Sequence, residues 1–322
     1  MKNNYQRSHF SVIILALLTI FSIQISAQSY SFKPIKGFAD ATNAKLETFL
    51  NSTVTMQIRK VAVFDCDGTL LGQAPYYLCD EAIMSLADQN YKGKTDENSK
   101  KKYKMAQDMA KIDNVGFDYE PACARYFSGL TPEAVENLGD ETFHSKFQNK
   151  MYTEMKALIA NLKNYGFEVW VITASAELLY QKFCSELIGI PREHIIGVKT
   201  VVSADGLVTE RIVDPIPQDN GKAEAIRTFI KTRPLFAAGN SRGDTEMLNT
   251  SVGLKMIINP NNTKAEKVLG GKTVKAYWTA DANCLIEYCN DVPDTTQKFV
   301  CKKYGVSIND SNPKTNEVVI GY

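Results

Sequence analysis

The feature that most constrains this chain is a four-residue apolar run, Val61-Ala62-Val63-Phe64, that stops abruptly at Asp65-Cys66-Asp67-Gly68-Thr69. A run this short and valine-rich reads as a buried strand of a parallel sheet, and such sheets present ligand-binding groups at the carboxyl ends of their strands. In extended backbone the side chains at i and i+2 share a face. The carboxylates of Asp65 and Asp67 therefore crowd one another unless a cation or a shared proton relieves them. Gly68 allows a sharp turn directly afterwards. Taken alone, the same residues are also explained by Asx-turn chemistry closing a strand.

From residue 151 onward, helical and extended patterns alternate. Met155, Leu158, Ile159 and Leu162 recur at helical spacing up to Gly166, and 167–172 follows as a strand ending at Thr173. A helix over 176–187 comes next, then a β-rich stretch over 195–212 turning at Ala204-Asp205-Gly206, then a helix over 222–231. A buried strand over 235–238 ends at Gly239-Asn240-Ser241-Arg242-Gly243-Asp244, and 254–258 forms another strand. This alternation predicts the α/β class, with a Rossmann-like, mostly parallel sheet and helices on both faces. Residues 75–150 read instead as helices over 76–87, 99–112, 120–127 and 132–138, a helical cap inserted after the first strand. One more amphipathic helix is expected over 40–49. The predicted division is a core of 28–74 and 151–280, a cap of 75–150, and a tail, 281–322, without clear periodicity.

The first 27 residues differ from the rest. Lys2 and Arg7 precede a thirteen-residue, almost wholly apolar stretch, 11–23, and Ile25-Ser26-Ala27 offers a small-residue cleavage site. This predicts a signal peptide over 1–27, hence an exported, periplasmic protein with no stable membrane anchor after cleavage; a spanning helix needs roughly 20 apolar residues. Losing Lys2 and Arg7 takes the formal charge from +1 to −1. No basic block points to nucleic acid. The odd number of cysteines, seven, leaves at least one thiol unpaired within the chain. Cys66 is the expected free one; Cys284, Cys289 and Cys301 form either a tail disulfide or unpaired buried thiols.

Three strands thus end in groups suited to phosphate and a divalent metal: Asp65-Cys66-Asp67-Gly68-Thr69, Thr173, and Asn240 with Asp244, with Lys222 after Gly221 between the last two. This order resembles the haloacid dehalogenase superfamily, in particular its phosphoserine-phosphatase-like branch, over roughly 61–258. Asp205-Gly206-Leu207-Val208-Thr209 ahead of Gly221-Lys222 is similar to the hairpin that branch places before its motif lysine. The resemblance implies a Mg2+-dependent phosphatase acting on a small phosphorylated metabolite. Asp65 is the implied nucleophile, forming an aspartyl-phosphate, and Asp67 the acid and then the base. Thr173 is implied to bind a phosphoryl oxygen and Lys222 to neutralise its charge. The implied metal ligands are Asp65, the Asp67 carbonyl, and Asn240 or Asp244.

Two departures from the branch stand out. Asn240 replaces the usual aspartate, removing one negative charge from the metal site, and no glutamate occurs in 71–77, which argues against phosphoserine as substrate. Substrate contacts are expected from Gln73, Tyr76, Tyr77, Arg125 and Ser175. Tyr76 and Tyr77 can hold the ammonium of a phosphocholine- or phosphoethanolamine-like ester by cation–π contact, or can be cap core. Two alternatives stay open: a phosphotransferase on the same fold, and a non-catalytic phosphate- or metal-binding protein, which Asn240 favours.

Overall fold

Val61–Phe64 forms strand β1, and all four of its residues are buried, as a central strand covered on both faces requires. Alternate side chains serve opposite layers. Val61 and Val63 join Ile172, Ile226, Met247, Ile257 and Trp278 in one core cluster. On the other face, Phe64 packs on Phe236 at 5.5 Å between ring centroids. Phe236 in turn meets Phe49 of helix α1 (Asp40–Ser52) at 6.3 Å. This computed structural model describes residues 30–74, 76–112 and 116–291; the predicted signal segment, Cys301 and the rest of the tail lie outside them. The fold belongs to the second of two units, Phe32–Tyr322. No helix among the described residues is long and apolar enough to cross a membrane.

The sheet contains β1, β2 (Glu168–Ala176), β3 (Ile195–Val202), β4 (Val208–Val213), β5 (Phe236–Gly239), β6 (Leu254–Ile258) and β7 (Cys284–Glu287). Their order is β4-β3-β2-β1-β5-β6-β7, and every pairing is parallel except the β3–β4 hairpin. β1 lies between β2 and β5, so the crevice at the carboxyl ends of these three strands is the ligand-binding position of such a sheet. The Rossmann-like α/β expectation therefore holds.

Four helices follow β1 over the residues expected as a cap: α2 (Leu78–Asn90), α3 (Glu97–Met109), α4 (Tyr119–Tyr126) and α5 (Pro132–Thr142). The chain then returns through α6 (Thr153–Asn164), α7 (Glu177–Ile188), α8 (Asn220–Ala225), α9 (Thr245–Thr250) and α10 (Val274–Thr279). Thr131 caps α5 by accepting from the Ala134 amide at 3.2 Å, and Pro132 opens its first turn. α5 and α7 pack so closely that a Cβ on Gly139 would lie 1.8 Å from the Leu179 carbonyl oxygen, which excludes any larger residue there. The cap also joins the hairpin, since Gly129 N donates to Val208 O and Val208 N to Leu130 O, both at 2.8 Å.

Two features differ from expectation. β2 continues to Ala176, so Thr173 and Ser175 lie within the strand's last turnless stretch and not beyond it. Residues 284–287, assigned to a patternless tail, form β7 and pair with β6 from Lys255–Cys284 to Ile258–Glu287. A four-residue strand is too short to show a period, and the open edge of β6 recruits it. No disulfide joins Cys284 to Cys289.

The segment after β7 also holds the cap's two linkers together. Asp291 accepts from the Gln73 amide at 3.2 Å and the Ala74 amide at 3.4 Å, and pairs with Lys150 at 3.3 Å. Lys150 Nζ donates to Ala74 O at 2.6 Å. Asp291→Ala removes the carboxylate from all three groups, and a loss of about 1–3 kcal/mol is expected in the urea unfolding free energy.

Inside the cap, Asp80 is buried and accepts from the Tyr119 hydroxyl through Oδ1, while Oδ2 has no partner among the described residues. Burial pushes the Asp80 carboxyl up to about 7, and the Tyr119 hydrogen bond offsets only part of that. A raised acid contributes stability that is fully present below its unfolded value, about 4, and is lost as pH rises through about 7. Asp80→Asn should therefore gain at least about 1 kcal/mol on the wild type at pH 8 and nothing at pH 4, read from urea midpoints at the two pH values.

Candidate active site

At the end of β1 the backbone turns on the Cys66 carbonyl, which accepts from the amides of Thr69, Leu70 and Leu71 at 2.8–3.1 Å. Gly68 sits in this turn at φ +84°, and a Cβ there would lie 1.9 Å from Asn240 Nδ2. Glycine is required both by the left-handed backbone and by that approach. The turn leaves Asp65 buried, with Oδ2 accepting from Thr69 Oγ1 at 2.9 Å and Oδ1 from Lys222 Nζ at 2.6 Å. Lys222, in the first turn of α8, also donates to Asp244 Oδ1 at 2.7 Å. Asp244 is anchored in turn, its Oδ2 accepting from the amides of Asn240 and Ser241 at 3.0 Å and from Ser241 Oγ at 3.2 Å. One ammonium thus ties the ends of β1 and β5 together.

Burial pushes the Asp65 carboxyl up to about 6, the Asp244 charge adds to this, and Lys222 and Thr69 oppose it. For Lys222, burial works against the charged form, yet Asp244 and Asp65 outweigh it and hold the ammonium above its ordinary range. Asp67 stands beside this cluster with a different set of partners. Tyr180 of α7 donates to its Oδ2 at 2.9 Å and Oδ1 at 3.1 Å, and Ser175 Oγ donates to Oδ2 at 3.3 Å. Burial and the Asp65 charge push Asp67 up to about 7, with Tyr180 and Ser175 opposing. The two aspartates are therefore unlike: one is paired with an ammonium, the other with hydroxyls.

A cavity of about 500 Å³ is lined by Asp65, Asp67, Gln73, Tyr77, Thr173, Ser175, Lys222 and Asn240, among others. The structure so brings together most residues singled out from the sequence. Thr173 is buried and accepts from the Ser175 amide at 3.1 Å, which leaves its hydroxyl proton free to point at a ligand. Asn240 faces the cavity, whereas both carboxylate oxygens of Asp244 are engaged behind it. Ser175, expected as a substrate contact, already donates to Asp67. Two expected substrate contacts are not part of the lining: Tyr76 is buried away from it, and Arg125 donates to Glu210 O at 3.2 Å across the cap–hairpin junction. Adjacent side chains at the start of α2 diverge, so only Tyr77 reaches the cavity.

Tyr180 and Glu120 line or support the site without having been singled out. Tyr180 sits among the apolar residues of α7 and Glu120 reads as a favourable first-turn acid of α4, so each has an ordinary helical explanation. Cys66, expected to be free, is a free thiol whose sulfur lies 3.7 Å from that of Cys184.

The donor set suits Mg2+. Asp65 and Asp244 share one ammonium and Asp67 has only hydroxyl partners, while burial first and neighbouring carboxylates second push Asp65 and Asp67 upward. Carboxylate, backbone carbonyl and amide oxygens are the hard donors this cation prefers.

The haloacid dehalogenase-like hydrolase family pattern matches residues 62–249, more than half of the chain. A Mycobacterium leprae (strain TN) protein described as a hydrolase is 27% identical over 143 residues, covering 42% of this chain and 45% of that protein; the chain spans less than half of that relative's length. A solved structure of a conserved Anaerococcus prevotii DSM 20548 protein of unknown function aligns over 81% of this chain and 94% of its own, at 13% identity and a TM-score of 0.59. A phosphoserine phosphohydrolase-like protein from Francisella tularensis subsp. tularensis SCHU S4 aligns over 62% and 87%, at 18% identity and a TM-score of 0.40. The Anaerococcus structure shares the fold, and the family match covers every strand end from Asp65 to Asp244: the chain belongs to the haloacid dehalogenase-like hydrolases.

Proposed function

We propose that this hydrolase is a Mg2+-dependent phosphomonoesterase that works through an aspartyl-phosphate on Asp65. The observation that carries the reading is the asymmetry of the pair: Asp65 held by Lys222 and Thr69, Asp67 held by Tyr180 and Ser175, both on one cavity. An Asp65 oxygen attacks phosphorus while the ester oxygen leaves. Asp67, with a carboxyl pushed up to about 7, carries the proton that the leaving alkoxide needs. The resulting carboxylate of Asp67 then takes a proton from water, which attacks the phosphoryl group, releases inorganic phosphate and regenerates Asp65. Lys222 balances the charge of the transferring group, and the Thr173 hydroxyl donates to one of its oxygens.

Asp65, the Asp67 carbonyl and Asn240 are the groups that would hold Mg2+, which when bound screens the anionic nucleophile from the anionic ester. Asp244 then serves to anchor Lys222 and the loop after β5. The neutral Asn240 ligand leaves the centre with one carboxylate fewer, as the sequence anticipates. The cavity, about 500 Å³, suits a small ester of phosphocholine or phosphoethanolamine size. Carbon–halogen hydrolysis fits less well, because it has no use for an acid at Asp67. Export to the periplasm is part of the same proposal and rests on the sequence of residues 1–27.

Asp65→Asn should lower kcat for p-nitrophenyl phosphate with Mg2+ by about 10³-fold or more. Undiminished turnover by that variant would sink the mechanism, and turnover that resists EDTA would remove the metal from it. Tyr180→Phe takes one hydrogen bond from Asp67; steady-state assays should show kcat down about three- to ten-fold with little change in KM.

A further inference from the structure

Glu120 belongs to the cap, in the first turn of α4, yet it lines the same cavity as Asp65 and Asp67. Its side chain makes no hydrogen bond or salt bridge among the described residues. The cations of the cavity wall are all engaged elsewhere: Lys222 by Asp65 and Asp244, Arg242 by Asp219 and Glu246, Lys264 by Glu266. Glu120 is thus the wall's one acid besides the catalytic pair that no cation pairs with. Burial, with Asp80 and Asp67 adding their negative charge and Lys222 opposing, pushes its carboxyl well above the usual range, so a cation seated beside it is what favours the ionised form.

Tyr77 lines the cavity too, and its side chain likewise makes no hydrogen bond among the described residues. Burial raises its hydroxyl, and the Glu120 charge is the next contribution, which puts the two side chains within electrostatic reach of each other. A carboxyl and an aromatic ring on the wall of one cavity, which Asp65, Thr173 and Lys222 also line, are what an organic ammonium requires: a counter-charge and a π face. A neutral polyol would leave Glu120 without a counter-charge.

Building on the phosphomonoesterase reading, we propose that Glu120 and Tyr77 form a subsite for the ammonium group of a phosphorylated amine. Glu120 supplies the charge and Tyr77 the ring face, so the cap selects cationic leaving alcohols over neutral ones.

Calorimetric titration of the full chain with choline, and with its uncharged isostere 3,3-dimethylbutanol, tests the subsite without any turnover. The wild type should bind choline at least about ten-fold more tightly than the isostere, a factor that Glu120→Gln erases and Tyr77→Leu reduces. Ethanolamine should follow the same order if a primary ammonium is also taken. Circular dichroism melts of both variants separate a lost subsite from a lost fold. A wild type that does not distinguish choline from the isostere overturns the proposal, as does a folded Glu120→Gln that binds choline unchanged. Wild-type hydrolysis of p-nitrophenyl phosphate, which carries no cation, reports separately on the phosphatase reading: turnover without choline discrimination sinks only the subsite, and discrimination without turnover sinks only the reaction.

Discussion

The site depends on one buried ammonium held between two carboxylates. Lys222 reaches Asp65 on β1 and Asp244 after β5, so a single side chain from α8 draws two strand ends into register around a common point. Removing three ionisable groups from water is costly, and the arrangement is tolerable only because each charge faces an opposite one and the remaining lone pairs are satisfied by Thr69, Ser241 and backbone amides. The same burial makes the cluster sensitive to charge. Burial, and then the neighbouring carboxylates, push Asp65 and Asp67 upward, and groups perturbed in this way are where the proposed chemistry finds its physical basis.

Around that cluster the cap contributes cavity-lining groups and its own internal constraints. α5 packs closely on α7 at Gly139, and α7 delivers Tyr180 to Asp67, so the helix that holds Asp67 is also one that the cap rests on. Asp291 fastens the two cap linkers from the far end of the described chain. The cap is thus tied to the core through the linkers, the β3–β4 hairpin and α7.

Much of this was legible beforehand, for identifiable reasons. β1, β2 and β5 are short apolar runs ending in polar residues, and the order of those endings along the chain, with the family resemblance it carries, singled out Asp65, Asp67, Thr173, Lys222 and Asn240. The cap helices were readable because 76–138 shows helical spacing broken by glycine and polar turns. β7 was not readable, since four residues carry no period and its pairing depends on the edge of β6. Arg125 lies in the segment expected as the cap, but its side chain is turned to the Glu210 carbonyl of the hairpin and not to the cavity.

The sequence by itself determined the fold class and the hydrolase family, because periodicity is a property of neighbouring residues and the family is carried by the order of short motifs along the chain. Only the tertiary structure decided which partners those residues have. Tyr180 joins Ser175 in holding Asp67, Asn240 rather than Asp244 faces the cavity, and Tyr77 rather than Tyr76 lines it with Glu120. Each of those choices turns on a side chain's direction across elements far apart in the chain, and direction is set by packing, which no local pattern records.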